Sequence, residues 1–91
     1  MAFILTRLEV GDYERWKPMF DLDAPGARRA ALGYRLFRNV GNPNEVFIQI
    51  EFRSTGDAEA ARRRLLSSGV LDRFEDRHGP TVVETAETVS A

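Results

Sequence analysis

Residues 45–52, Glu45-Val46-Phe47-Ile48-Gln49-Ile50-Glu51-Phe52, decide the fold. Val46, Ile48, Ile50 and Phe52 share one parity and are all apolar, while Glu45, Phe47, Gln49 and Glu51 share the other. A period of two puts alternate side chains on opposite faces of a pleated ribbon, so the stretch is a strand with one face in a core. Just before it, Gly41-Asn42-Pro43-Asn44 is a dense turn cluster, with Asn42 and Asn44 as turn formers. Tyr34–Val40 alternates like a second strand, and the two predict an antiparallel hairpin.

Further toward the N-terminus, Ala2–Val10 is rich in Phe, Ile, Leu and Val and is bounded by Gly11, which predicts a buried first strand. Asp12 is a candidate N-cap, and Trp16, Met19, Phe20, Ala24, Ala27 and Ala31 recur near the spacing of one helix face. Pro18 and Pro25 each lack an amide hydrogen and disfavour a helical predecessor. The prediction is a broken or kinked element: Asp12–Leu22, then a second piece after Asp23-Ala24-Pro25 that stops at Gly33.

On the C-terminal side, Ser54-Thr55-Gly56-Asp57 opens a helix with hydroxyl caps and an early acid. Ala58, Ala61, Leu65 and Leu66 form its inner face, and Ser67-Ser68-Gly69 ends it. Val70–His78 predicts one more short helix, with Val70, Leu71, Phe74 and His78 on one side, closed by Gly79-Pro80. Thr81–Val89 predicts the last strand. Residues 1–91 therefore read as a single α+β domain, the β-α-β-β-α-β ferredoxin-like sandwich: a four-stranded antiparallel sheet with helices on one face.

Ninety-one residues hold one modest core, 43% of the chain being hydrophobic and 30% charged. Burial at roughly 25 cal/mol per Å2 nearly cancels an ordering cost of about 1.5 kcal/mol per residue, so so small a domain gains from a staple, a metal or a partner. With no cysteine there are no disulfides, thiolate metal sites or thiol nucleophiles. One histidine, His78, makes an all-protein zinc site unexpected, and no metal is expected. The net charge of −1 gives no field to recruit nucleic acid or anionic membrane. Arg28-Arg29 and Arg62-Arg63-Arg64 read as solvated helix faces. Met1–Val10 has neither a basic leader nor a long apolar run, so no signal segment and no membrane span are expected, and the cytoplasm is the expected location.

The far side of the sheet is the informative part. One parity of the first strand carries Phe3 and Leu5, and the other Ile4, Leu8 and Val10. The second strand holds Tyr34 and Leu36 on one parity and Phe37 on the other, and the third keeps Phe47 beside Gln49. Whichever parity meets the helices, large apolar groups remain opposite. A patch of several hundred Å2 is at or beyond what monomers tolerate, which predicts a homodimer.

Asp12-Tyr13-Glu14-Arg15-Trp16-Lys17-Pro18-Met19-Phe20-Asp21 resembles a "DYxxWKxxFD" signature in the first helix of small dimeric α/β-barrel proteins. Gly33-Tyr34-Arg35-Leu36-Phe37-Arg38, followed by Asn42-Pro43-Asn44-Glu45-Val46, resembles their hairpin, and Ser68-Gly69-Val70 and Gly79-Pro80 continue the likeness. The chain so resembles the antibiotic biosynthesis monooxygenase-like superfamily, in its short branch of uncharacterised and cyclase- or oxygenase-associated proteins. The resemblance implies a dimeric α/β barrel and a role in aromatic polyketide-type metabolism, as a monooxygenase or cyclase-like enzyme or an accessory to one. It implies no cofactor, because a deprotonated aromatic substrate itself donates an electron to oxygen. Haem-degrading relatives use an Asn–Trp–His set, whose placements Trp16, His78, Asn39 and Asn42 do not match.

Trp16 and Phe20, one helical turn apart, either wall a flat aromatic ligand or pack the core. Histidine is the residue type suited to proton transfer near neutral pH, and His78 is the single one: either it moves a proton, or it caps the carbonyls of its own helix. Tyr34, Arg35 and Arg38 either orient a ligand oxygen near the hairpin or line a dimer interface and solvent. The expected substrate pocket is Trp16, Phe20, Tyr34 and Phe74, with His78 as the catalytic candidate, for a hydrophobic or aromatic small molecule. No phosphate loop, nucleophile elbow or metal-ligand cluster is present. The competing expectation is a non-catalytic ligand-binding or assembly module.

Overall fold

The computed structural model describes residues 1–90. Its elements are β1 (Ala2–Glu9), α1 (Tyr13–Leu22), β2 (Gly33–Asn39), β3 (Asn42–Phe52), α2 (Thr55–Ser68) and β4 (Arg77–Glu84). All strand pairs are antiparallel, in the order β2-β3-β1-β4. This is the ferredoxin-like α+β sandwich expected.

The parity of β3 is as read: Val46, Ile48, Ile50 and Phe52 are buried, together with Ala2, Ile4, Thr6 and Leu8 of β1. Trp16 from α1 and Ala58 and Ala61 from α2 close over them. Small alanines let α2 approach the sheet closely. Ser54 caps α2 by accepting from the Asp57 amide at 3.1 Å, and Gly69 ends it in the left-handed region. Among the described residues no helix is long and apolar enough to cross a membrane.

Four local expectations need correction. The first is the second helical piece after Pro25, where only turns form. Asp23 ends α1 in the left-handed conformation, and its carboxylate accepts from the amides of Ala27 (3.1 Å) and Arg28 (3.0 Å). Side-chain acceptors of this kind hold a backbone out of a helix. α1 itself runs through Pro18 as one helix, and Gly33 opens β2 rather than stopping a helix.

Second, the hairpin turn is tighter than Gly41–Asn44. Asn39 pairs with Asn42, so the connection is Val40-Gly41, and Pro43 lies within β3 at a break in register. A bulge is where a strand tolerates a residue without an amide hydrogen.

Third, Val70–His78 is not a helix. Turns run to Phe74, and Arg77 and His78 already belong to β4, paired with Leu8 and Arg7. Gly79-Pro80, expected to stop that helix, forms a β-bulge. His78 opposes Arg7 and Thr81 opposes Leu5, so two residues face the single Thr6. The bulge keeps His78 and Thr81 on one face. Fourth, β4 ends at Glu84, short of the expected Val89.

The sheet face without helices has three cross-strand rows, written from β2 to β4. They are Phe37–Phe47–Arg7–His78, Arg35–Gln49–Leu5–Thr81 and Gly33–Glu51–Phe3–Val83. Phe37, Phe47 and Leu5 are 46%, 41% and 42% exposed there. The apolar surplus expected on this face is present.

Candidate functional site

Between the helices and the sheet lies a cavity of about 80 Å3. Thr6, Leu8, Ile48 and Ile50 form its sheet side, Trp16, Met19 and Phe20 one wall, and Leu65, Leu71 and Phe74 the other. Helical spacing stacks the Trp16 and Phe20 rings, with centroids 4.9 Å apart at 29°. Tyr13 continues the row at 5.9 Å from Trp16, and Tyr34 meets Phe20 edge-on at 5.5 Å. Such offset and edge contacts suit the ring quadrupoles.

Trp16, Phe20 and Phe74 thus come together as expected. Tyr34 adjoins the group through Phe20 without lining the cavity. His78 stands apart. It lies on the helix-free face of the sheet, in a hollow of about 380 Å3 with Leu5, Arg7, Phe37, Phe47 and Gln49.

Arg28, expected on a solvated face, is instead part of the wall. Its guanidinium carbon lies 4.0 Å from the Phe20 centroid and 4.9 Å from that of Tyr34. It donates to the Phe20 carbonyl and sits 3.6 Å from the Asp23 carboxylate. The pattern that signals this is an aspartate just past a helix end, followed by an arginine, with aromatics one turn back. Arg62 likewise leaves the solvated set and donates to the Pro80 carbonyl at 2.8 Å, tying α2 to β4. Among the described residues Thr6 is the one buried polar side chain, and its alternation with Ile4 and Leu8 concealed it.

On the open face, Arg7 donates to Glu45 and to Asp76, and Asn39 donates to Glu45 at 2.6 Å. These bonds favour the ionised acids. Asp76 is held below the usual carboxylate range chiefly by Arg7, and Glu45 by Asn39 first and Arg7 next. Among the described residues, no group of three or more His, Cys, Asp or Glu side chains is placed to hold a metal ion. A charged residue in the middle of an apolar strand, as Arg7 is, was the available signal for this cluster.

The element order and the helix-covered antiparallel sheet define a ferredoxin-like α+β domain. A solved structure of a "putative antibiotic biosynthesis monooxygenase" from Deinococcus radiodurans is similar throughout, with a TM-score of 0.72 over 100% of this chain and 98% of that one. At 14% identity the likeness is one of fold. No protein-family model matches the chain, and no curated protein matches it.

Proposed function

We propose that the protein is a homodimer of the dimeric α/β-barrel type whose subunits each bind a hydrophobic, aromatic small molecule between α1 and the sheet. The chemistry is monooxygenase-like, on aromatic compounds of the polyketide type. The observation that carries this reading is the Trp16–Phe20 stack bordering an apolar cavity. Dioxygen is the oxidant, and the balance is simple. Two C–H bonds at one ring carbon break, one oxygen atom joins that carbon as a carbonyl, and the other leaves as water. The protein's part is to hold the substrate anion dry and oriented. The open sheet face, with Leu5, Phe37 and Phe47 exposed, supports the dimer.

Cavity size limits the substrate. Drug-sized ligands occupy about 300–1,000 Å3, well above the 80 Å3 here. A polycyclic ring system therefore needs the cavity to widen, and the exposed lining side chains Met19 and Arg73 are the ones free to move for it. The test is oxygen uptake with an anthrone-type substrate, followed with quinone absorbance. Uptake above the protein-free rate supports the enzyme, and none overturns it.

A second reading, a non-catalytic binding module of the same fold, is favoured by where His78 lies. The charged groups at the cavity are Asp23, Arg28 and Arg73, and Asp23 is already taken up by Arg28 and two amides. His78 is on the other side of the sheet, so it takes no proton from a ligand beside Trp16. Saturable binding of the anthrone without oxygen uptake selects this reading.

A further inference from the structure

We infer that the ligand of the helix–sheet cavity is a small aromatic carboxylate whose charge is held by Arg73. The inference rests on the part of the reading above that places an aromatic ring in the cavity beside Trp16, not on the oxygenation step, and adds the ligand's charge and size.

Two guanidinium groups border the cavity, and they differ. Arg28 is engaged on every side, by Asp23, by the Phe20 carbonyl and by two aromatic faces. Its charge and that of Asp23 offset each other. Arg73, on the turn after α2, has among the described residues a single side-chain bond, to the Met19 sulfur at 3.3 Å. Its guanidinium carbon is 5.2 Å from the Phe74 centroid, and among the described residues no carboxylate lies within ion-pair distance of it. A thioether is a weak acceptor, so the planar fork of donors is effectively available. Of the described charged groups lining the cavity itself, Arg73 is the one left without a carboxylate partner, while Glu9, Asp12 and Arg15 share the neighbouring surface hollow with it.

A ring lying among Trp16, Phe20 and Phe74 can direct its substituent toward Arg73. A carboxylate there meets the geometry it pairs with best, two parallel N–H···O bonds from one guanidinium. Displacing the sulfur contact gives up little. The size also points to a single ring: an apolar cavity of about 150 Å3 takes up benzene. The 80 Å3 present is about half of that, and Met19, half-exposed among the lining residues, is the side chain placed to turn outward and widen it.

The experiment is a pair of titrations, benzoate against the neutral benzamide, read on the indole N–H signal of Trp16, the only tryptophan. Benzoate is expected to bind about tenfold more tightly at low salt, with the advantage shrinking as salt rises. Arg73→Gln is expected to remove that advantage while benzamide affinity stays within about twofold. Equal affinities in the parent protein, or a benzoate preference that survives Arg73→Gln, overturn the inference and leave the cavity reading standing. If neither compound moves the Trp16 signal, the inference falls, and the anthrone titration decides the cavity reading separately.

Discussion

Arg7 on β1 and His78 on β4 stand directly opposite each other on the sheet face that carries no helix. Arg7 also draws in Glu45 from β3 and Asp76 from just before β4, so one guanidinium ties together three segments distant in sequence. Both carboxyls sit below their ordinary values of 3.8 for Asp76 and 4.5 for Glu45. A depressed folded value means stability that is complete above the unfolded value and lost as pH falls through the folded one. The domain should therefore lose stability from about pH 5 downward. Arg7→Met should flatten that acid limb, most visibly through Asp76. Urea midpoints at pH 7, 5 and 3 for both proteins test it, and parallel curves would remove Arg7 from the account.

The row Phe37–Phe47–Arg7–His78 crosses the whole sheet with its aromatic half exposed. In a homodimer that stacks two such faces, Phe47 meets the partner. Phe47→Arg introduces a charge that has no counter-ion in a dry interface. The parent should scatter light as a dimer at micromolar concentration, and the variant as a monomer with an unchanged far-ultraviolet dichroism spectrum. A parent that is monomeric at that concentration refutes the dimer.

The sheet was largely legible because its signal is local. Val46, Ile48, Ile50 and Phe52 declare their face within eight residues, and the Ser54 cap declares the start of α2. Val70–His78 departs from its helical pattern for the opposite reason. Four apolar or aromatic side chains at helical spacing are too few to settle the state of so short a segment. What decides it is pairing of Arg77 and His78 with Leu8 and Arg7, a contact that nothing nearby in the chain announces. The difference reaches the site. On a helix His78 would have joined Phe74, and on β4 it faces the opposite side of the sheet. Trp16 and Phe20 needed only one helical turn to meet, so that half of the site was readable. Arg28 was not, since it depends on the Asp23 loop that replaces the expected helix.

The bulge at Gly79 is a point of exact fit between strands. Its φ is +89°, and a Cβ added there would lie 2.5 Å from the Leu5 carbonyl oxygen, a backbone atom that cannot turn away. Gly79→Ala should cost about 1–3 kcal/mol, the usual range for a strained backbone position. Amide exchange should quicken along β1 and β4 more than along β2. A stability change within about 0.5 kcal/mol, the range of ordinary surface substitutions, would show that the bulge yields freely.

Phe52 is the largest of the fully buried side chains. It lies on the helix side of β3, opposite Ala2. Truncation of a buried phenylalanine to alanine costs about 3–5 kcal/mol, through lost transfer energy and the void left behind. A domain of this length has about 5–14 kcal/mol in total. Phe52→Ala should therefore lower the thermal midpoint steeply and leave a detectable unfolded fraction at 37 °C. Calorimetry measures both, and a loss below about 1 kcal/mol would mean that the site collapses around the change.

Met19 lines the cavity from a half-exposed position, and its truncation tests whether it limits entry. The side chain is 46% exposed and carries the sulfur that Arg73 contacts. Little burial is lost on removing it, so Met19→Ala should cost about 1 kcal/mol or less, far below the 2–5 kcal/mol of a buried methionine. Space next to Trp16 and Phe20 should grow toward the size that admits a benzene ring. Toluene, with no charge for Arg73 to read, should then shift the Trp16 fluorescence at a lower concentration in the variant than in the parent. If both respond alike, Met19 does not limit entry and the 80 Å3 cavity is bounded instead by the stacked rings of α1.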